Sequence, residues 1–288
     1  MALVLTAPRA VAQAPQFVTV GRVTAVYWGS DGTLAAALAE YADQAGHWPG
    51  LPQPPRRPVR LLLARTPPRF DSLTTPGTPR WSEGVAFPGP NTIVLRLDGD
   101  PRPALRHELA HLALHEFVNA VPRWFDEGYA ARAAGEWDRL DALRVNWALV
   151  RGGPPDLDSV SRALRGGADG ARDAYALATT AVLALERLGG AEGLTPLLRA
   201  LSTRQRDLDQ ALRVAHGLTL DQFESRWQKD VKSRYGWAVY LTSLGAFWGV
   251  VAVFTVALWT VRRRRDAERR AALDQDFITP PDTSGPSP

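Results

Sequence analysis

The sequence predicts an α+β domain followed by one C-terminal transmembrane helix. Before Asp100, short apolar runs rich in β-branched residues lie between proline and glycine clusters, which is typical of strands. After Asp100, the apolar pattern is helical almost to Tyr235. Strands first and helices after are typical of the α+β class. From Trp237 to Val261 the chain has no charged residue, over a length that exceeds the about 20 residues a helix needs to cross a bilayer.

The composition indicates a globular protein and limits the kind of metal site that it can hold. Of the 288 residues, 45% are hydrophobic, which is enough for a buried core. The chain contains no cysteine, so any metal ion must be bound by histidine, aspartate or glutamate. The formal net charge is +4, but six arginines lie within the last 27 residues. We interpret this cluster as a membrane-topology signal and expect no nucleic-acid partner.

The predicted strands lie in the first third of the chain. Phe17 to Trp28 is predicted to form a strand or a hairpin, and Thr33 to Gln44 an alanine-rich helix. Val59 to Ala64 is a further strand. Gly84 to Leu97 is predicted to form a strand pair with a turn at Pro88-Gly89-Pro90.

Helix start and stop signals define the second part of the domain. Asp100 is predicted as the N-cap of a helix that begins near Pro101 and has the sequence PRPALRHELAHLALHEF. A second helix is predicted from Arg123 to Ala134, after Pro122 has ended the first. Later helices are predicted over Ala171–Leu188, Leu208–His216 and Leu220–Tyr235, the last with a capping box of Thr219 and Gln222.

The first of these helices carries residues that can bind a metal ion. His107 and His111 are four residues apart, so their imidazoles project from one face of the helix and can bind one ion. Glu108 can reach a water molecule at that ion rather than the ion itself. Glu127 follows His111 by sixteen residues, enough for a turn and an antiparallel return that directs its carboxylate to the metal. Two imidazoles and one carboxylate are typical of a catalytic zinc site.

The two motifs together resemble those of a known enzyme family. The segments HELAH (107–111) and PRWFDEGYA (122–130) resemble the gluzincin metallopeptidases, in particular the bacterial peptidase MA-like domains. The resemblance implies a zincin-like fold, one Zn²⁺ ion with Glu127 as its third ligand, and Glu108 as the general base that takes a proton from water. The substrate would be an extended polypeptide outside the cytoplasm, lying beside the strand within Gly84 to Leu97.

Two departures from the family pattern narrow this expectation. The chain lacks the G-x-M-E-N element by which related aminopeptidases bind a free amine, so an endopeptidase is favoured. Ala131 stands where some gluzincins have an aspartate that orients a histidine. Tyr175, at the beginning of a helix, resembles the tyrosine that binds the oxyanion in gluzincins. A buried structural tyrosine is an equal alternative for this residue.

Asp126 and the other three histidines have simpler interpretations. His115 is interpreted as a polar residue, either on the surface or behind the metal ligands, with a role as substitute ligand as the alternative. Asp126 is interpreted as a solvent-facing acid in the first turn of its helix, so its loss is expected to leave the metal in place. His47 and His216 lie far from the motif and are expected to be structural.

The sequence therefore predicts four segments and one topology. Residues 1–15 are a possible signal remnant, 16–235 the peptidase domain, 237–261 a transmembrane helix and 262–288 a cytoplasmic tail. The arginines after Val261 hold the tail inside and place the domain outside the cytoplasm. A buried core helix is the alternative for the apolar segment.

Two other functions are alternatives to a membrane-anchored peptidase. One is a non-catalytic, membrane-tethered binding module on the same scaffold. It is less favoured because His107, Glu108, His111 and Glu127 are all retained. The other is an intramembrane protease, which is disfavoured because Arg102 and Arg106 precede the motif.

Overall fold

The computed structural model describes residues 14–79, 81–203, 206–236, 245, 248–263 and 265. The chain divides into two units, Met1–Gly236 and Trp237–Pro288. The strands of the first unit are β1 (Gln16–Val20), β2 (Val23–Tyr27), β3 (Val59–Ala64), β4 (Gly84–Phe87) and β5 (Thr92–Arg96). Its helices are α1 (Gly32–Gln44), α2 (Pro67–Leu73), α3 (Arg102–Phe117), α4 (Arg123–Ala134), α5 (Arg139–Gly152), α6 (Leu157–Ala163), α7 (Ala168–Leu188), α8 (Thr195–Leu201), α9 (Leu208–His216) and α10 (Leu220–Tyr235).

The strands form one mixed sheet in the order β1-β2-β3-β5-β4. The β1–β2 hairpin and the β4–β5 hairpin are antiparallel, whereas β2, β3 and β5 run parallel. This arrangement confirms the strand at Val59–Ala64 and the strand pair after Gly84, and of the strand or hairpin predicted over Phe17 to Trp28 it shows the hairpin. Strand β4 is at one end of the order, so it is an edge strand among the described residues.

The turn between β4 and β5 extends one residue beyond the predicted Pro88-Gly89-Pro90. Asn91 closes it, with its N–H donating to the Pro88 carbonyl at 3.2 Å. Its backbone has a φ of 52°, a left-handed conformation that asparagine tolerates better than most residues. The Asn91 side-chain amide donates to the Pro58 carbonyl at 2.8 Å, which fixes the turn against the start of β3.

The helical core forms where α4 packs on α7 and α10. Trp124 is buried and stacks on Phe223 with ring centroids 6.1 Å apart. Trp227 is also buried, and its indole N–H donates to the Thr180 hydroxyl at 3.0 Å. A Cβ atom on Gly128 would lie 2.5 Å from the Ala178 carbonyl oxygen, so only glycine permits this approach of α4 to α7.

Most helix bounds confirm the predictions, and two details correct them. α4, α9 and α10 have the predicted bounds, and the capping box before α10 is present. Asp100 is not the N-cap of α3, because Pro101 occupies that position with a helical backbone; the Asp100 carboxylate still accepts from the Arg102 N–H at 3.2 Å. Helix α2 was not predicted, because its two leading prolines read as part of a proline-rich loop.

The second unit contains a helix over residues 248–263. Within the described part of the chain, no helix is long and apolar enough to cross a membrane. The predicted transmembrane segment, 237–261, includes residues 237–244, 246 and 247, which lie outside the described residues. Most of the possible signal remnant and of the predicted tail also lie outside them.

Candidate metal centre

Three side chains from α3 and α4 converge as the ligands of a metal ion do. Nε2 of His107 and Nε2 of His111 each lie 3.6 Å from Oε2 of Glu127. One ligand atom from each of the three residues lies within 4.8 Å of the other two. The two histidines are brought together by the i, i+4 spacing of α3, and Glu127 by the packing of α4 on α3.

A carboxylate contacts Nδ1 of each of the two imidazoles. Nδ1 of His107 lies 3.0 Å from Oε1 of Glu136, and Nδ1 of His111 lies 2.7 Å from Oδ1 of Asp126. When Nδ1 donates to a carboxylate, the lone pair of Nε2 is left for a metal ion. The ring orientation and the tautomer of both histidines are therefore set by residues outside the convergent group.

The structure corrects the interpretation of Asp126 and clarifies that of His115. Asp126 is partly buried, and its two oxygens contact His111 and, at 3.1 Å, Nε2 of His115. His115 lies one turn beyond His111. It contacts the Asp126 carboxylate, which in turn contacts His111. It is not a member of the convergent group.

Glu127 is a buried carboxylate with one oxygen already engaged. Its Oε1 lies 3.0 Å from an Nη atom of Arg123, which leaves Oε2 directed to the histidines. Burial by itself raises the pKa of Glu127. Hydrogen bonds with His107 and His111 outweigh burial and hold this pKa well below its usual range.

Both histidines attract a proton strongly when no cation is bound. Burial lowers the pKa of His107, but hydrogen bonds to Glu127 and Glu136 raise it to about 10. Burial opposes protonation of His111 as well, and Asp126 and Glu127 raise its pKa well above the usual value. The same negative potential that favours imidazolium in the free protein favours a divalent cation in its place.

Glu108 is buried beneath the edge strand. The backbone N–H of Ala86 donates to its carboxylate, and a Cβ atom on Gly84 would lie 2.7 Å from its Cγ. Burial raises the pKa of Glu108. Strand β4 therefore covers this carboxylate closely, and the absence of a side chain at Gly84 makes the contact possible.

Tyr175 lies in the middle part of α7 rather than at the start of a helix as predicted. Its ring centroid is 6.2 Å from that of His107, and its hydroxyl is hydrogen-bonded to Glu127. Burial and the nearby charges of Glu127 and Glu108 raise the pKa of Tyr175, so its hydroxyl keeps its proton and acts as a donor. The structure thus brings Tyr175 to the convergent group.

A cleft runs along β4 on both sides of this group. One cavity of about 280 Å³ contains His107, His111 and Glu127 and extends towards His115 and Arg123. The other, of about 400 Å³, extends towards the N-terminal end of α3. Both cavities share the wall formed by Trp81, Ser82, Gly84, His107, Glu108 and Tyr175.

The remaining histidines do not join the metal centre. His47 is exposed and lines a different cavity. His216, at the end of α9, has a buried Nε2 without a hydrogen-bond partner, and burial lowers its pKa. Neither residue belongs to the convergent group found among the described residues.

The donor set fits a catalytic metal ion. Two Nε2 atoms and one carboxylate oxygen are the protein ligands of open zinc sites in which a fourth position is left free. With both Nδ1 atoms held by carboxylates, the rings are ordered for ligation before any ion binds.

A mixed sheet followed by a helical half, with a His-His-Glu group on two adjacent helices that could hold a metal ion, is typical of a metallopeptidase-like domain. The sequence model of the Peptidase MA superfamily matches residues 51–233, and the chain belongs to this family. The match confirms the resemblance inferred from HELAH and the segment around Glu127. No match was found among curated proteins.

Proposed function

We propose that this protein is a zinc-dependent metallopeptidase that cleaves peptide bonds within polypeptides outside the cytoplasm. The observation that supports it most directly is the convergence of His107, His111 and Glu127 within 4.8 Å, at the base of an open cleft. Glu108 lies in the wall of the same cleft.

His107, His111 and Glu127 would hold the zinc ion. A bound zinc ion supplies Lewis acidity to water and to the scissile carbonyl. Asp126 and Glu136 keep the two imidazoles oriented, and Arg123 keeps Glu127 turned so that one oxygen faces the histidines.

Glu108 is the general base of this proposal. Because burial raises its pKa, its carboxylate accepts a proton from water more readily than an exposed glutamate does. It then passes the proton to the leaving amine. Gly84 and Ala86 hold the carboxylate in place during both transfers.

Tyr175 and strand β4 would act on the substrate. The Tyr175 hydroxyl keeps its proton and can donate to the oxyanion that forms at the scissile carbonyl. As an edge strand beside Glu108, β4 can pair with an extended polypeptide and carry the scissile bond past the metal centre. A cleft open on both sides of that centre suits a substrate that continues in both directions, as for an endopeptidase.

We also propose that residues 237–261 anchor the enzyme in the membrane, with the catalytic domain outside. The support is the uncharged sequence, the arginines that follow it, and the exposure of large apolar residues in the helix over 248–263. Fusion of a reporter after Pro288 and external protease digestion of spheroplasts would test this topology. A protected domain, or an externally exposed reporter, would overturn it.

The enzymatic proposal is tested by two measurements on the purified full chain. Zinc content is determined for the wild type, Glu127→Ala and Glu108→Gln, and each protein is incubated with a broad peptide library. Glu127→Ala should lose zinc and activity together because a ligand is missing. Glu108→Gln should keep zinc and lose about 10²- to 10⁴-fold in turnover because the amide cannot accept a proton. A wild type that holds zinc but cleaves nothing would support a binding module instead.

A further inference from the structure

The cavity at the N-terminal end of α3 is lined by both apolar and charged residues. We call it the Trp81 pocket, and its volume is about 400 Å³. Its apolar and aromatic residues are Trp81, Pro103, Ala104, Ala171 and Tyr175. It adjoins His107 and Glu108, so a group bound there lies next to the metal centre.

Trp81 is unusual among the large aromatic residues that surround the site. It exposes 40% of its surface although it lies in a concave region. Its ring packs edge-on against Tyr175, with centroids 6.4 Å apart and planes at 90°. An indole held in this way at a cleft provides a rigid apolar surface at a small entropic cost.

Three of the four carboxylate and guanidinium side chains of the pocket lie towards solvent, and the fourth, Glu108, is buried at the border with the metal centre. Glu83, Glu136 and Arg172 line it but are exposed, whereas Ala171 is buried and Ala104 is partly buried. Apart from Glu108 and His107, which belong to the metal centre, the described residues of the pocket offer a polar side chain no buried charge to pair with. The neighbouring cavity is different, because it contains the metal-binding group together with Arg123, Asp126 and His115.

We infer that the Trp81 pocket binds a large apolar side chain of the substrate, aromatic or aliphatic, at a residue adjoining the cleaved bond. The inference rests on the proposed peptidase function and adds the substrate class to it. Trp81 and the Tyr175 ring that packs against it supply the aromatic contact surface. Transfer of such a side chain from water to an apolar pocket favours it over alanine by about 10- to 100-fold.

Cleavage of matched peptides tests this specificity. Zinc-loaded full chain is assayed on internally quenched peptides that differ only in having Phe, Leu, Ala or Asp on one side of the scissile bond, and then on the other. We expect kcat/KM for Phe and Leu to exceed that for Ala by about 10- to 100-fold on one side. Trp81→Ala should reduce this ratio to a few-fold, and Trp81→Phe should retain most of it.

The control is Trp147→Ala, which removes a tryptophan that is 57% exposed on α5, outside the cleft. It should leave the ratio unchanged. Zinc content and circular dichroism of each variant show whether the fold and the metal centre are intact. Equal rates on Phe and Ala peptides, or an equal loss of preference in Trp147→Ala and Trp81→Ala, would overturn the pocket assignment.

A binding measurement separates this inference from the peptidase proposal. Fluorescence anisotropy of the same peptides is measured with zinc-loaded Glu108→Gln, which should bind without turnover. If the Phe peptide binds more tightly than the Ala peptide and this difference depends on Trp81, the pocket is supported even when the wild type cleaves nothing. In that case only the proposal of hydrolysis fails. Equal binding of the Phe and Ala peptides, or no binding of either, overturns the pocket.

Discussion

Oδ1 of Asp126 lies 2.7 Å from Nδ1 of His111, so the residue that precedes Glu127 orients His111. Adjacent residues of α4 thereby act on one imidazole from two sides. Asp126 holds the ring at Nδ1, and Glu127 faces Nε2 at 3.6 Å. The Asp126 carboxylate also contacts His115. The orientation of His111 therefore depends on Asp126 and, through it, on His115.

Asp126→Asn should weaken zinc binding by about 10- to 100-fold because the charge that orients and polarises His111 is lost. His115→Ala should have a smaller effect, since it removes only the support of Asp126. Competition with a chelator of known affinity measures both. The control is Asp158→Asn, an exposed aspartate in the first turn of α6. Wild-type affinity in Asp126→Asn would contradict the assignment, and complete loss of zinc in His115→Ala would make His115 a ligand.

Gly84→Ala should impair the general base without removing the metal. The new methyl group would lie 2.7 Å from Cγ and 3.0 Å from Oε1 of Glu108, so this side chain must move. A misplacement of about 1 Å at a reacting group can cost about 10²-fold in rate. We expect kcat to fall by that order while zinc content is unchanged. Gly89→Ala, in the same hairpin, has nothing within 4 Å and should behave as the wild type. Equal kcat values for the two variants would contradict the role of Gly84.

Gly128→Ala should destabilise the domain. The added Cβ would lie 2.5 Å from the Ala178 carbonyl oxygen, so α4 must move away from α7 and carry Glu127 with it. We expect a loss of about 1–3 kcal/mol in the free energy of unfolding, measured by urea denaturation. Gly170→Ala, near the start of α7, has open space around it and should be neutral or stabilising by up to about 1 kcal/mol. Similar values for both variants would contradict the close approach at Gly128.

The sequence predicts the ligands better than it predicts the residues that hold them. His107 and His111 follow from the period of one helix, and Glu127 from a motif with a clear helix start at Arg123. Contacts such as those of Asp126 and Glu136 depend on how α3 and α4 are rotated against each other, and local patterns do not contain this information. Glu136 reaches His107 because Gly135 ends α4 with a φ of 77°, which turns the chain back.

The role of Gly84 in the sheet also depends on a tertiary contact that the local sequence does not contain. Its position at the start of a strand was predicted, but its function depends on Glu108, 24 residues later in the chain. The Trp81 pocket likewise combines residues from the loop before β4, from α3 and from α7. Interpretation of Asp126 as solvent-facing was wrong because a first-turn acid usually faces water, and only tertiary packing brings His111 and His115 to it.

The metal-free domain should lose stability as the pH rises above about 6.5. His107 has a pKa of about 10 in the folded protein and about 6.5 in the unfolded chain, so the folded state binds the additional proton. The resulting stabilisation is fully present below pH 6.5 and disappears as the pH approaches 10. Thermal unfolding of the protein in the presence of a chelator, between these two pH values, measures the stabilisation. His107→Ala should flatten this part of the profile, and an unchanged profile in that variant would contradict the assignment.

Zinc binding should release about two protons per ion at pH 7.5. In the metal-free protein, Glu127 and Glu136 raise the pKa of His107 to about 10, and Asp126 and Glu127 raise that of His111 well above its usual value. Both imidazoles must lose a proton to bind a metal, so the apparent affinity should fall by roughly 100-fold for each pH unit below 7.5. Calorimetric titration of the chelated protein in buffers of different ionisation enthalpy counts the protons. Zinc binding to Asp126→Asn should release fewer protons, because the imidazolium of His111 then loses its proton at a lower pH. Asp158→Asn should match the wild type. Release of no proton by the wild type would show that the histidines are neutral before the metal arrives and that the carboxylates behind them do not act as the structure indicates.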